Sequence, residues 1–331
     1  MFNEIGEEMG KRPALAGRVL AEVELVRREI RAGQFQRSMA VIAAFSAVVS
    51  GFEAYIQHLR GAFAHWLMWT PVLLTPPTVI AAGAALFSER AARRLLPAVS
   101  LVSLADGIVG FVFHVRGIKR MPGGFSLGQY NVVMGPPIFA PLLMCTVGIA
   151  GVLAGMLRRE QLDHGRVNGA QAAALLQALP TSGAPTGIGQ RVAEDVAHGR
   201  FQQGMAIISA LFAILAGGEA YVEHLRGSFN QRVMWTPVWV TPPMVAAAIG
   251  AALSERVARR VLPLVAAITF FDGLLGFGLH LRGIRRMPGG FANLQFNITM
   301  GPPLFAPLLF CAVGLFGLLT ALLRRSSGPA D

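Results

Sequence analysis

The sequence predicts an all-α integral membrane protein whose eight transmembrane helices form two tandem four-helix bundles, related as parallel repeats. Three observations lead to this prediction. The 331 residues are 53% hydrophobic and only 14% charged, whereas a soluble domain is about 25% charged. The apolar runs are each long enough to cross roughly 30 Å of hydrocarbon. Residues 33–160 also align without a gap with residues 199–326, at about 70 identical positions.

Each half has an even number of predicted spans, so both halves insert in the same orientation. Thr75-Pro76-Pro77 and Gly135-Pro136-Pro137 predict the starts of helices two and four, because proline is favoured in the first helical turn. Helix three is expected to end at His114-Val115-Arg116-Gly117. The eight predicted helices cover about 39–57, 76–94, 97–117, 135–159, 205–223, 242–260, 263–279 and 302–323.

The same pattern divides the chain into five segments. The N-terminal residues have apolar positions at helical spacing among charges, which predicts an amphipathic surface helix. The predicted segments are an N-terminal segment 1–36, a first repeat 37–159, a linker 160–198, a second repeat 199–325 and a tail 326–331.

The basic residues predict the orientation of the chain in a bacterial-type inner membrane. The net charge is +11, but the basic residues lie between apolar runs without a nucleic-acid-binding signature, so the lipid bilayer is the expected partner. Of the 29 Lys and Arg residues, about 20 fall on the side of the termini. The positive-inside rule then puts both termini in the cytoplasm and the ends that carry the repeated His-x-Arg-Gly motif outside.

The candidate site comes from polar residues that recur near these outward ends. His-x-Arg-Gly occurs four times, and a carboxylate precedes each copy within the same apolar run. Because odd-numbered helices run in the same direction, we expect these groups to converge near the outer interface. The candidate proton-handling or ligand-orienting residues are Glu53, Asp106, Glu219 and Asp272. The candidate cofactor-binding residues are His58, Arg60, His114, Arg116, His224, Arg226, His280 and Arg282, with the four histidines as metal ligands.

A purely structural interpretation competes with this site. Cationic residues in a last turn complement the helix dipole, and Gly beyond it is a favoured cap. The carboxylates would then form internal ion pairs, Glu53 with Arg60 and Asp106 with Arg116. However, a charged group within a span costs about 3 kcal/mol and is a functional candidate by default.

The leading functional hypothesis is a redox-linked membrane subunit active in electron transfer. Paired imidazoles are ligands for haem b or for copper or iron, and arginines pair with haem propionates. A quinone is a third candidate cofactor, with Trp69 and Trp235 stacking on its ring. A redox protein at the outer face is then the expected partner.

Two alternatives use the same residues differently. In a proton- or ion-coupled transporter the intramembrane carboxylates titrate during transport. In a non-catalytic scaffold or anchor subunit every feature is a cap or an ion pair. Tandem four-helix units of this kind are similar to those of haem A synthase and of quinone-binding subunits of polysulfide-reductase type, in architecture and not in any motif.

Overall fold

The computed structural model describes residues 34–165 and 200–322, and within these ranges the chain forms helices and turns without a β-strand. Residues 1–33, 166–199 and 323–331 lie outside the described residues. The predicted N-terminal segment 1–36, linker 160–198 and tail 326–331 therefore fall almost wholly outside them, and the five-segment division stays a prediction.

The described helices of the first half alternate with short turns. A 3-10 turn at Trp66–Trp69 precedes the second helix, and a π-helical turn at Ala91–Leu95 precedes the third. The helices are α1 Gln34–Arg60, α2 Thr70–Phe87, α3 Leu96–Arg120, α4 Gly128–Met134 and α5 Ala140–Gly165.

The second half follows the same order. Its 3-10 turn at Arg232–Trp235 corresponds to Trp66–Trp69, and a short helix replaces the π-helical turn. The helices are α6 Arg200–Arg226, α7 Thr236–Leu253, α8 Glu255–Arg260, α9 Leu262–Arg286, α10 Leu294–Met300 and α11 Leu308–Leu322.

Six of the described helices are long and apolar enough to cross a membrane, namely α1, α2 with its 3-10 turn, α3 with its π-helical turn, α6, α7 with its 3-10 turn, and α9. Two further apolar helices, Ala140–Met156 within α5 and Leu308–Leu322, are shorter. The described part of the chain is thus all-helical, and the length and composition of its helices are compatible with a polytopic membrane protein. The number of eight spans stays a prediction.

The predicted start of helix two at Pro76 is wrong. The helix begins at Thr70 with Pro71 in its first turn, and Pro76 and Pro77 lie inside it. Pro71 meets the same first-turn preference that led to the prediction, because its missing N–H is not needed there. The helix ends at Phe87 rather than Arg94, since the chain becomes extended at Ser88.

The predicted end of helix three and start of helix four are also wrong. Helix α3 continues through His114-Val115-Arg116-Gly117 to Arg120, so Gly117 is not a cap there. Helix α5 begins at Ala140, after non-helical residues 135–139, and α11 begins at Leu308. Prolines 136 and 137 have no N–H, which favours a break in the helix. We call residues 133–139 and 299–305 the first and second Gly-Pro-Pro segments.

The packing between helices is close because small residues line it. A Cβ built on Gly51 would lie 1.9 Å from Thr75 Oγ1, so the close approach of α1 and α2 at this position requires glycine. The buried core consists largely of alanines with Met39, Met205, Met244 and Phe316. Between the halves, α1 packs against α10 and α11, and α6 packs against α4 and α5. These contacts position the polar residues described next.

Candidate functional site

Four histidines form two pairs. The ring centroids of His58 and His114 are 6.5 Å apart, and those of His224 and His280 are 6.3 Å apart. The ring planes within the pairs meet at 69° and 72°. The sequence-based expectation that His58 and His114 lie at the same level is therefore met, and the second half repeats it.

The histidines of each pair reach one another from helices that are not sequential neighbours. Helices α1 and α3 each pack against α2 and α5, and α6 and α9 each pack against α7 and α11. The packing order thus places the two histidine-bearing helices at opposite corners of a group of four. Each imidazole pair lies between such opposite helices.

Hydrogen bonds to backbone carbonyls orient the rings. His58 Nδ1 lies 2.6 Å from the Met68 carbonyl oxygen, and His114 and His280 Nδ1 lie 2.6 Å from those of Pro137 and Pro303. A carbonyl can only accept, so Nδ1 carries the hydrogen in these three rings. In the neutral imidazole Nε2 then has a free lone pair. The fourth ring differs, because His224 Nδ1 is buried near the Met234 carbonyl without a formed hydrogen bond.

An aromatic turn covers one side of each pair. The Phe63 ring meets His58 edge-on at 6.0 Å and stacks on Trp69 at 3.9 Å. Phe63 and Ala62 have φ values of 47° and 51°, and the equivalent Ser228 and Phe229 have 57° and 45°. Non-glycine residues in this left-handed region are strained and are found preferentially at functional sites. The turn places Phe63 and Phe229 against the imidazoles.

The two aspartates lie deeper on the same helices as His114 and His280. Asp106 and Asp272 are half-buried, and each lies within hydrogen-bonding reach of a threonine hydroxyl at the start of an earlier helix, Thr70 of α2 or Thr236 of α7. Arg116 is exposed, so the predicted Asp106–Arg116 ion pair is not the arrangement observed.

The two intramembrane glutamates contact the opposite half of the chain. Glu53 Oε2 accepts the N–H of Phe305 at 3.2 Å, and Glu219 Oε2 accepts the N–H of Phe139 at 3.1 Å. Glu53 also accepts a hydrogen bond from Gln57 at 2.8 Å. Glu53 thus binds a backbone group of the other half, and the predicted Glu53–Arg60 pair is not formed by direct hydrogen bonds.

Two of the four motif arginines also cross between the halves. Arg226 donates from Nε to the Val133 carbonyl at 2.7 Å and from Nη2 to the Gly135 carbonyl at 2.8 Å. Arg60 donates in the same way to the carbonyls of Thr299 and Gly301. These guanidinium groups are directed at backbone carbonyls, which removes them as free partners for a propionate.

The other two motif arginines are not brought to the histidine pairs. Arg116 and Arg282 are exposed, and each is two positions from its histidine, on a different face of the helix. Trp69 and Trp235 stack on Phe63 and Phe229 at 3.9 and 4.0 Å. That contact occupies one face of each indole.

A cavity of about 470 Å³ borders the second histidine pair. His224 and His280 line it together with Asp272, and Glu53 reaches it from the first half. Its remaining walls are mostly apolar or small residues from both halves of the chain, with further carboxylates at Glu219 and Glu223. The volume falls within the range of small-molecule and cofactor sites.

Sequence reasoning missed the partners of the glutamates and arginines. Gln57 and Glu223 belong to the same polar group, since Arg226 pairs with Glu223 at 2.9 Å and Gln57 contacts both Glu53 and Arg60. The available signal was the Gly-Pro-Pro triplet, because adjacent prolines leave carbonyls without intrahelical donors and call for partners elsewhere.

The residues that the structure describes include no group of three or more His, Cys, Asp or Glu side chains arranged to hold a metal ion. Cys145 and Cys311 are buried and unpaired. The candidate site thus consists of paired imidazoles with a nearby carboxylate. Comparison with known proteins finds no family model, no curated protein and no solved structure that matches the chain.

Proposed function

We propose that the chain is a membrane electron-transfer protein that binds two b-type haems, one between the imidazoles of each histidine pair. The observation that carries this proposal is the geometry of the pairs. Their ring centroids are 6.5 and 6.3 Å apart, between helices at opposite corners of each group.

The spacing fits one metal ion held by two imidazoles. A metal–imidazole bond is about 2 Å long, and the ring centre lies about 1 Å beyond the nitrogen, so two rings that held one ion from opposite sides would have centres roughly 6 Å apart. Hydrogen bonds at Nδ1 of His58, His114 and His280 would leave Nε2 of these rings as the ligating atom, and histidine ligands in proteins commonly donate their other N–H to a carbonyl. Two imidazoles are sufficient for haem, because the porphyrin supplies the remaining iron ligands.

The surroundings of the second pair also favour a cofactor. The cavity of about 470 Å³ beside His224 and His280 is large enough for a small ligand or cofactor. When bound, haem would supply one-electron chemistry. The chain would contribute axial ligands, exclusion of water by Phe63 and Phe229, and in Asp106 and Asp272 groups able to orient a ligand or take a proton.

The proposed location is a bacterial-type inner membrane with both termini in the cytoplasm. The uneven distribution of Lys and Arg supports this orientation. The haems would then lie near the outer face, within reach of a partner redox protein there. Labelling of introduced cysteines from each side of the membrane tests this location.

The test is a reduced-minus-oxidised optical spectrum of the detergent-purified protein, with haem and metal content measured on the same sample. We expect a Soret shift and about two haems per chain. His58→Ala and His114→Ala should each remove about one haem, and His224→Ala and His280→Ala the other. His65→Ala is the matched control, because His65 is exposed at the same end of the molecule and lies outside the pairs.

A featureless spectrum with no iron in a folded preparation would overturn the haem proposal. Stoichiometric copper, non-haem iron or quinone that depends on the same histidines would instead identify the other cofactor classes.

A second candidate function is proton- or ion-coupled transport, favoured by the carboxylates Glu53, Glu219, Glu223 and Asp272 around one cavity. In that case Asp106→Asn and Asp272→Asn would stop flux in proteoliposomes. Neither change would alter an optical spectrum.

A further inference from the structure

We propose that the two histidine sites are positioned crosswise. Glu219 and Arg226 of the second half orient His114 in the first, and Glu53 and Arg60 of the first half orient His280 in the second. The effect of this positioning on a bound haem rests on the proposed function. The positioning of the imidazoles themselves is independent of the proposed function.

The Gly-Pro-Pro segments provide the hydrogen-bond acceptors for one histidine of each pair. His114 donates to the Pro137 carbonyl in the first segment, and His280 donates to the Pro303 carbonyl in the second. Glycine 117 lets α3 approach the first segment, because a Cβ built there would lie 3.1 Å from Pro136 Cγ. The orientation of each of these imidazoles therefore depends on where its Gly-Pro-Pro segment lies.

Beyond the Gly135 and Gly301 N–H groups, which donate to the Asn131 and Asn297 carbonyls at 2.9 Å, the Gly-Pro-Pro segments are not held by helical hydrogen bonds. Adjacent prolines contribute no N–H donors, and the backbone between α4 and α5 is non-helical. Buried backbone groups in such a break need partners from elsewhere in the molecule.

Those partners come from the opposite half. Around the first segment, Glu219 accepts the Phe139 N–H at 3.1 Å, and Arg226 donates to Val133 and Gly135 at 2.7 and 2.8 Å. The contacts thus flank the Pro137 carbonyl on both sides along the chain. We call these contacts from the opposite half the clamp. Hydrogen bonds from a charged guanidinium are stronger than neutral ones, so the two Arg226 contacts are the strongest part of this clamp.

The second Gly-Pro-Pro segment is held by the equivalent contacts from the first half. Glu53 accepts the Phe305 N–H at 3.2 Å, and Arg60 donates to the carbonyls of Thr299 and Gly301. The Pro303 carbonyl that orients His280 lies between these contacts.

The other histidine of each pair is independent of the clamp. His58 donates to the Met68 carbonyl of its own half. His224 Nδ1 is buried near the Met234 carbonyl, also of its own half, without a formed hydrogen bond. Crosswise positioning therefore predicts which histidine responds to each substitution. Loss of a glutamate or arginine on α6 acts on His114, and loss on α1 acts on His280.

The experiment compares Glu219→Ala with Glu53→Ala, which occupy equivalent positions in the two repeats and serve as controls for each other. The imidazole ¹⁵N resonances of the full-length protein are recorded after chemical reduction, so that any bound haem is diamagnetic. The resonances are assigned with the single His→Ala variants. Glu219→Gln is the conservative variant, since its amide oxygen still accepts the Phe139 N–H.

We expect Glu219→Ala to shift the Nδ1 resonance of His114 and to leave His280 unchanged, and Glu53→Ala to do the reverse. In Glu219→Gln, the Nδ1 resonance of His114 should lie close to its position in the wild-type protein. If haem is present, Glu219→Ala should weaken binding at the first pair by about 10-fold or more, as outer-shell changes commonly do. Midpoint potentials of the two haems should change with the same crossed pattern.

The crosswise positioning would be overturned by equal shifts at both histidines, by shifts confined to the mutated half, or by the absence of any shift. A preparation without haem that still shows crossed ¹⁵N shifts would refute the proposed function and leave the positioning intact. A haem-loaded preparation without crossed shifts would do the opposite.

Discussion

At the scale of single residues, three of the histidines and two of the arginines of the candidate site serve mainly to satisfy backbone groups. His58, His114 and His280 donate to carbonyls, and Arg60 and Arg226 donate to carbonyls of the other half. Each unpaired polar group would be costly where water is scarce. What remains available for a ligand is therefore the second ring nitrogen of each imidazole and the aspartates.

The same logic gives a residue-scale prediction for Asn131. Its side chain is buried, and Nδ2 donates to the Pro122 and Gly124 carbonyls at 3.0 and 2.8 Å. Asn131→Asp replaces this donor with an acceptor that faces two carbonyls. We expect a loss of about 2 kcal/mol of stability, measured by thermal unfolding in detergent.

Asn230→Asp is the matched control, because Asn230 is exposed. It should leave the unfolding temperature unchanged. Equal unfolding temperatures for Asn131→Asp and the wild-type protein would contradict the proposed role of these hydrogen bonds.

At the scale of elements, glycines set how closely the helices approach. Helix α3 meets α5 at Gly107, where an added Cβ would lie 2.8 Å from the backbone nitrogen of Cys145 and 2.7 Å from the Pro141 carbonyl oxygen. Backbone atoms cannot move aside as side chains do. The separation of α3 from α5, and with it the position of His114, depends on this contact.

Gly107→Ala should therefore destabilise the protein by about 1–3 kcal/mol through overpacking. Gly83→Ala is the control within α2, since no atom lies within 4 Å of its added Cβ, and it should be neutral or stabilising by up to about 1 kcal/mol. Chemical or thermal unfolding of both variants provides the measurement. A neutral Gly107→Ala would show that α3 and α5 can separate without cost.

At the scale of the whole molecule, the two halves exchange contacts through their Gly-Pro-Pro segments rather than standing apart. Helix α1 packs on α10 and α11, and α6 packs on α4 and α5. Each half therefore completes the backbone hydrogen bonding of the other. We infer that the duplicated sequence is constrained as one unit rather than as two independent bundles.

The orientation in the membrane is a prediction about the whole chain. Ser126 is exposed after the histidine-bearing end of α3, and Ser88 is exposed at the opposite end of α2. In intact spheroplasts, a membrane-impermeant thiol reagent should label Ser126→Cys and not Ser88→Cys. Cys145 and Cys311 are buried and provide the unreactive background.

If the reagent labelled Ser88→Cys and not Ser126→Cys, the chain would have the opposite orientation, with the histidine pairs on the cytoplasmic side. The candidate partner would then be a cytoplasmic redox protein.

The amino-acid sequence is sufficient to predict the all-helical membrane class and to show the recurrence of a carboxylate, a histidine and an arginine, because apolar run length and repetition are properties of consecutive residues. It also predicts the convergence of His58 with His114, since their helices run in the same direction. The partners of Glu53, Arg60, Glu219 and Arg226 are visible only in the folded chain. Those partners lie in the opposite half, and they depend on helix rotation and on a backbone break at the Gly-Pro-Pro segments. The first-turn preference of proline could not distinguish that break from a helix start.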